Sequence, residues 1–121
     1  MIELKSIDHS CLWVRSLKIS KEYYEKLFSV DCFPRNGDES TYVVESKLIH
    51  FFISENDGDT CFLEKQHLSF EVDNLEQVVE FLQSLDIDYS TGETEFFKNR
   101  NYRWCEWRDP DGIRLECVEI K

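Results

Sequence analysis

All three histidines of the chain, His9, His50 and His67, fall at matching places in a twice-repeated strand pattern, and the fourth matching place holds Glu116. His9 lies in Ile7-Asp8-His9-Ser10-Cys11-Leu12-Trp13-Val14 and His67 in Gln66-His67-Leu68-Ser69-Phe70-Glu71-Val72, which read as two opening strands. His50 lies in Leu48-Ile49-His50-Phe51-Phe52-Ile53 and Glu116 in Ile113-Arg114-Leu115-Glu116-Cys117-Val118, two closing strands. A lone strand histidine is usually packing or surface, because an imidazole needs partner ligands at about 2 Å from the ion to make a metal site. Recurrence at equivalent positions changes that expectation. Imidazoles with a carboxylate suit Zn, Ni, Fe or Mn, whereas Ca and Mg want oxygen. One divalent transition metal held by His9, His50, His67 and Glu116 is the expected cofactor, able to polarise a carbonyl or stabilise an enediolate. Glu116 has a second possible task, as the base that takes a proton.

The residues around this set follow from the strand period of two. Cys11 and Trp13 share a face with His9, and Arg114 shares one with Glu116. Trp104 and Glu106 alternate on the strand before Asp109-Pro110-Asp111-Gly112 and can face the same way, so Trp107 points to the other side. Cys11, Trp13, Trp104, Glu106 and Arg114 are the candidate substrate-binding residues. For Cys11 and the tryptophans, core filling is the competing role.

These residues need elements to position them. Ser16 can cap a helix running to about Phe28, with Leu17, Tyr24, Leu27 and Phe28 on one face. Strands are expected near 30–35, 40–45 and 47–54, with a turn at Asn36-Gly37-Asp38. The second half repeats the order. Asp73-Asn74-Leu75-Glu76 resembles a capping box, and Leu75, Val78, Val79, Leu82 and Leu85 form an amphipathic stripe. Strands near 87–91, 101–108 and 113–120 follow, the last two joined by the Asp109-Pro110-Asp111-Gly112 turn. The fold class is α+β: two βαβββ modules, about 5–54 and 66–120, joined by a polar linker at 55–65 within one domain spanning 1–121. Leu12, Val14, Ile49, Phe51, Leu68, Phe70, Leu115 and Cys117 would meet the helices, leaving the ligand candidates on the opposite, concave surface of an open, cup-like barrel.

Net charge is −11, so nucleic acid and anionic membranes are excluded as favoured partners. No apolar run approaches the roughly 18 residues of a membrane span, and Met1-Ile2-Glu3-Leu4-Lys5 does not read as a signal peptide, so a cytoplasmic location is expected. The five cysteines are odd in number and form no CxxC pair, which favours reduced thiols over disulfides.

The chain resembles the vicinal oxygen chelate superfamily, which includes glyoxalase I, bleomycin-resistance proteins, fosfomycin-resistance proteins and extradiol dioxygenases. The likeness rests on Ile7 to Val14, on Ser20-Lys21-Glu22-Tyr23-Tyr24-Glu25-Lys26-Leu27-Phe28, and on the ending Asp109-Pro110-Asp111-Gly112-Ile113-Arg114-Leu115-Glu116, and it covers nearly the whole chain. It implies ligands from the first and last strands of each module, carried over to His9, His50, His67 and Glu116, and a barrel often completed in a homodimer. Glyoxalase I generally has a glutamate at the place of His50, and many glyoxalases have a glutathione-gripping arginine at the place of Trp13. The resemblance implies a small-molecule substrate and, first, a metal-dependent isomerase or lyase of the glyoxalase type that chelates vicinal oxygens. Extradiol-type Fe(II) dioxygenase chemistry through His9, His67 and Glu116, fosfomycin-type addition, and non-catalytic sequestration of a cationic aromatic drug of the bleomycin-resistance type stand as alternatives.

Overall fold

The computed structural model describes residues 1–121, which form two compact units, Met1–Leu63 and Glu64–Lys121. In the first, strand β1 (Cys11–Val14) leads into helix α1 (Leu17–Leu27), then β2 (Asp31–Arg35), β3 (Asp38–Glu45) and β4 (His50–Glu55). The sheet order is β1-β4-β3-β2, with β1 parallel to β4 and the other pairs antiparallel. The second unit has the same plan. Strand β5 (His67–Glu71) leads into α2 (Leu75–Ser84), β6 (Ser90–Phe97), β7 (Arg100–Arg108) and β8 (Arg114–Ile120), ordered β5-β8-β7-β6 with β5 parallel to β8. Two βαβββ modules, α+β in class, are therefore present.

Helix α1 starts where expected, because Ser16 in an extended conformation accepts a hydrogen bond from the Ile19 N–H and satisfies one of the free donors of the first turn. Its inner face carries Leu17 and Tyr24, and the Tyr24 ring meets Phe51 of β4 edge-on at 6.1 Å. Leu12, Val14, Val44, Phe51 and Ile53 complete a buried apolar layer on that side of the sheet. Helix α2 departs from the expected capping box by one residue. Asn74, not Asp73, is the cap, accepting from the Gln77 N–H, while Glu119 of β8 accepts from the Leu75 N–H at 3.0 Å. A carboxylate reaching in from β8 takes the donor that a capping-box glutamate does not serve.

Strand β6 also departs, running Ser90–Phe97 rather than about 87–91. Asp86, with φ of 54°, ends the helical turn in the left-handed region, and Ile87 N–H closes back on the Leu82 carbonyl at 3.0 Å. The chain is free to pair only after that closure. The polar run Glu93-Thr94-Glu95 then pairs with β7 as an exposed edge. By contrast the Asp109-Pro110-Asp111-Gly112 turn forms as expected. Buried Asp109 accepts from the N–H groups of Asp111 (2.8 Å) and Ile113 (3.0 Å), and Gly112 takes φ of 80°. This turn fixes the start of β8 and hence the position of Glu116.

Neither helix is long and apolar enough to cross a membrane.

Candidate functional site

In the first unit, the face of the sheet away from α1 carries Cys11, Trp13, Phe52, Ser54 and Thr41, as the registers Cys11↔Phe52, Trp13↔Ser54 and Thr41↔Ser54 require. His9 stands just ahead of β1 rather than within it, and His50 opens β4. Asp8 serves both histidines. Its carboxylate accepts from His9 Nδ1 at 2.7 Å and lies 3.8 Å from His50 Nε2. The His9 hydrogen bond is the main reason the Asp8 carboxyl is held below its ordinary range, with the charge of His50 helping. The His9 ring rests on Phe52, centroids 4.6 Å apart. A carboxylate on Nδ1 leaves Nε2 of His9 with its lone pair, the arrangement metal-binding histidines generally show.

Cys11 is exposed, and its thiol donates to Ser54 Oγ at 3.4 Å; Ser54 in turn shares a 2.7 Å hydrogen bond with the buried Thr41 hydroxyl. Trp13, on the same face, is about half exposed. Both candidate residues therefore lie on the His50 side of the sheet and away from the apolar layer.

In the second unit, the registers His67↔Arg114, Ser69↔Glu116, Glu106↔Glu116 and Trp104↔Val118 put these residues on one face, opposite α2. Glu116 is buried, and His67 Nε2 approaches its Oε1 to 3.5 Å. Arg114 donates from Nη2 to His67 Nδ1 at 2.7 Å, and its Nε lies 3.5 Å from Glu106 Oε2. That Nε is buried and makes no hydrogen bond, so its contact with Glu106 is an ion pair only. Glu106 also lines a cavity of about 500 Å³ with Tyr89, Ser90, Trp107 and Arg108 among its walls. Trp104 lies across Gly92, where a Cβ would stand 2.4 Å from its ring. Trp107, on the opposite face as expected, is buried in the helix-packed layer.

The structure thus brings the expected site residues together in two groups: His9 with His50 around Asp8, and His67 with Glu116, Arg114 and Glu106. No three His, Cys, Asp or Glu side chains approach closely enough to hold a metal ion.

One relationship differs from the sequence pattern. The helix caps Ser16 and Asn74 are 74 − 16 = 58 residues apart, as are His9 and His67 (67 − 9 = 58). Cys11 is then equivalent to Ser69. Cys11 pairs with Phe52, but Ser69 pairs with Glu116. Phe52, not His50, holds the place equivalent to Glu116, and His50 corresponds to Arg114. Alternation alone could not separate these, because His50 and Phe52 share a face. A carboxylate directly beside a candidate ligand, as Asp8 is beside His9, is a readable signal for a histidine-orienting group.

No protein-family model and no curated protein matches the sequence. Solved structures do match. A glyoxylase/bleomycin resistance protein/dioxygenase domain from Frankia sp. is 26% identical, with 98% of this chain and 100% of that one covered at a TM-score of 0.74. An antibiotic binding protein from Streptomyces sp. is 13% identical over 100% of both chains, with a TM-score of 0.75. The fosfomycin resistance protein FosX from Listeria monocytogenes, complexed with Mn(II) and dihydroxypropylphosphonic acid, is 14% identical; 95% of this chain and 90% of that one are covered at a TM-score of 0.66.

Proposed function

We propose that this chain, a vicinal oxygen chelate superfamily protein by its fold and its closing motif, is a divalent-metal-dependent enzyme of the glyoxalase type, an isomerase or lyase. The observation that carries the reading is the approach of His67 Nε2 to Glu116 Oε1, at 3.5 Å, on the face of a sheet turned away from its helix. An imidazole and a buried carboxylate side by side fit Zn, Ni, Fe or Mn. His9 adds an imidazole whose Nε2 is left free by Asp8. His9, His67 and Glu116 are the proposed ligands, and His50, tied to the same Asp8, is the proposed fourth. FosX carries Mn(II), which supports a divalent ion without selecting one.

When bound, the metal would act as a Lewis acid on two neighbouring substrate oxygens. Glu116 would move the proton, taking it on its carboxylate from the carbon beside those oxygens, with burial keeping competing water away. Arg114 and Glu106 offer a charged edge for the substrate, and Trp104, Cys11 and Trp13 line the same faces as the ligands.

The test is substrate proton exchange with solvent on the metal-loaded protein, using small vicinal hydroxy-carbonyl compounds. Exchange that falls by about 10²–10⁴ in Glu116→Gln, with some metal retained, supports the reading. Exchange equal in both proteins would remove Glu116 as the base.

A second reading is favoured by the register. With Phe52 at the place equivalent to Glu116, the set His9, His67 and Glu116 is a two-histidine, one-carboxylate arrangement of the kind non-haem Fe(II) oxygenases use. Oxygen uptake with catechols by the Fe(II)-loaded protein separates it from proton transfer. Sequestration of a cationic aromatic drug draws support from the net charge of −11, the exposed Trp13 and the antibiotic binding protein of the same fold. Drug binding that persists after chelation is its signature.

A further inference from the structure

The hairpin that joins β2 to β3 turns at Asn36-Gly37, between the paired residues Arg35 and Asp38. Gly37 takes φ of 80°, which glycine adopts without strain. A Cβ at Gly37 would meet nothing within 4 Å, so the turn is open to solvent. Asn36 is exposed, and its carboxamide has no hydrogen-bond partner. The Gly37 N–H lies outside the β2–β3 ladder. A carboxamide carbon and the unengaged N–H of the next residue are thus left within reach of each other, with no side chain at residue 37 to crowd them. The other four asparagines stand differently. Asn56 donates to the Asp59 carbonyl at 2.7 Å and accepts from the Gly58 N–H at 3.3 Å. Asn74 caps α2, and Glu119 occupies the N–H that follows it, that of Leu75. Asn99 and Asn101 precede Arg100 and Tyr102, both β7 residues that carry large side chains.

We propose that Asn36 is a modification site, converted by spontaneous deamidation with water as the only co-reactant. Hydroxide takes the Gly37 amide proton, and that nitrogen attacks Cγ of Asn36. The new C–N bond closes a five-membered cyclic imide. The Cγ–Nδ2 bond breaks, and Nδ2 leaves as ammonia with a proton from water, which returns the hydroxide. Water then opens the imide at either carbonyl, and nothing is oxidised or reduced. One opening gives aspartate at position 36; the other gives its β-linked isomer, with the main chain running through the side-chain carbon. Either product places a new carboxylate beside the ion pair of Arg35 Nη2 and Asp38 Oδ2, now 2.6 Å long, where it competes with Asp38 for the guanidinium. The β-linked product also lengthens a turn that must close between paired residues. Arg35 lies 5.3 Å over the Phe52 ring, and Phe52 carries the His9 ring at 4.6 Å. A change at this exposed turn therefore reaches the platform on which His9 rests.

The experiment incubates the full folded chain at pH 8 and 37 °C and follows each asparagine by peptide mass spectrometry. Trypsin cleavage after Arg35 and Lys47 isolates residues 36–47, in which Asn36 is the only asparagine. Exchange of amide for acid is expected at Asn36 about tenfold or more faster than at any other asparagine. Two acid forms should separate by chromatography, the β-linked one in excess. Gly37→Ala puts a methyl beside the attacking nitrogen and is expected to slow the exchange by about tenfold. The parent unfolded in urea gives a second comparison that needs no variant. An Asn36 amide that survives in the folded chain but is lost in urea would mean that the turn protects it, and would overturn the proposal. A single acid form would also overturn it, because hydrolysis without the imide gives no β-linked product. So would equal rates at all five asparagines, or a folded Gly37→Ala protein that converts as fast as the parent.

Discussion

Phe52 occupies in the first unit the register position that Glu116 occupies in the second, each paired with the strand residue two places after the repeat's opening histidine. Phe52 supports the His9 ring at 4.6 Å and lies under the Arg35 guanidinium at 5.3 Å. The repeat therefore spends this position on a platform in one unit and on a carboxylate in the other. Phe52→Glu is expected to add a ligand and tighten zinc binding by about tenfold. Calorimetric titration checks it; an affinity equal to or weaker than the parent's would refute the equivalence as a functional one.

Asp8 is expected to act through His9. Its side chain is 82% exposed, so Asp8→Ala should leave the thermal midpoint close to the parent's. Metal affinity should fall by about 10–100-fold as His9 loses the partner of its Nδ1. Unchanged affinity in a folded Asp8→Ala protein would show that His9 is not a ligand.

Much of this was legible in the sequence, and what escaped has identifiable causes. Ser16 and the Asp109-Pro110-Asp111-Gly112 turn are local devices whose hydrogen bonds close within a few residues, so their letters suffice. Burial of Leu12, Val14, Phe51 and Leu115 follows from alternation, which is also a local property. Register is not local. His50 and Phe52 share a face, and only the pairing Cys11↔Phe52 tells which stands opposite which. The cap at Asn74 is joined by Glu119, 119 − 74 = 45 residues away along the chain, which takes the Leu75 N–H. The hold of Arg114 on His67 likewise joins residues far apart in sequence, and no spacing rule announces it.

Gly92 is required by Trp104. A Cβ at residue 92 would come within 2.4 Å of the indole ring, far inside contact distance, so Gly92→Ala must displace Trp104. The expected cost is about 1–3 kcal/mol, with a change in tryptophan emission. Trp104→Leu should relieve most of it in a double-mutant cycle. Additive effects of the two substitutions would contradict the contact.

The thiols divide by burial. Cys32, Cys105 and Cys117 are buried, and desolvation pushes them up to about 11, about 11 and about 12, whereas Cys11 and Cys61 are exposed. Iodoacetamide at pH 8 should label Cys11 and Cys61 in the folded chain and the other three only after unfolding. The sign for stability follows. Above the ordinary value of 9.0 the unfolded chain loses these protons while the folded chain keeps them, so stability is fully present below pH 9 and falls as pH rises toward 12. Denaturant midpoints that stay level from pH 9 to 11 would contradict this.

The most direct measurement is metal content per chain on protein purified without an affinity tag or chelator, for the parent and for His67→Ala. About one equivalent of Fe, Ni, Zn or Mn in the parent, and its loss in a folded His67→Ala protein, is the expected result. A parent that carries no metal and takes up none when offered would contradict the metal-dependent reading, and so would His67→Ala retaining the ion as tightly as the parent.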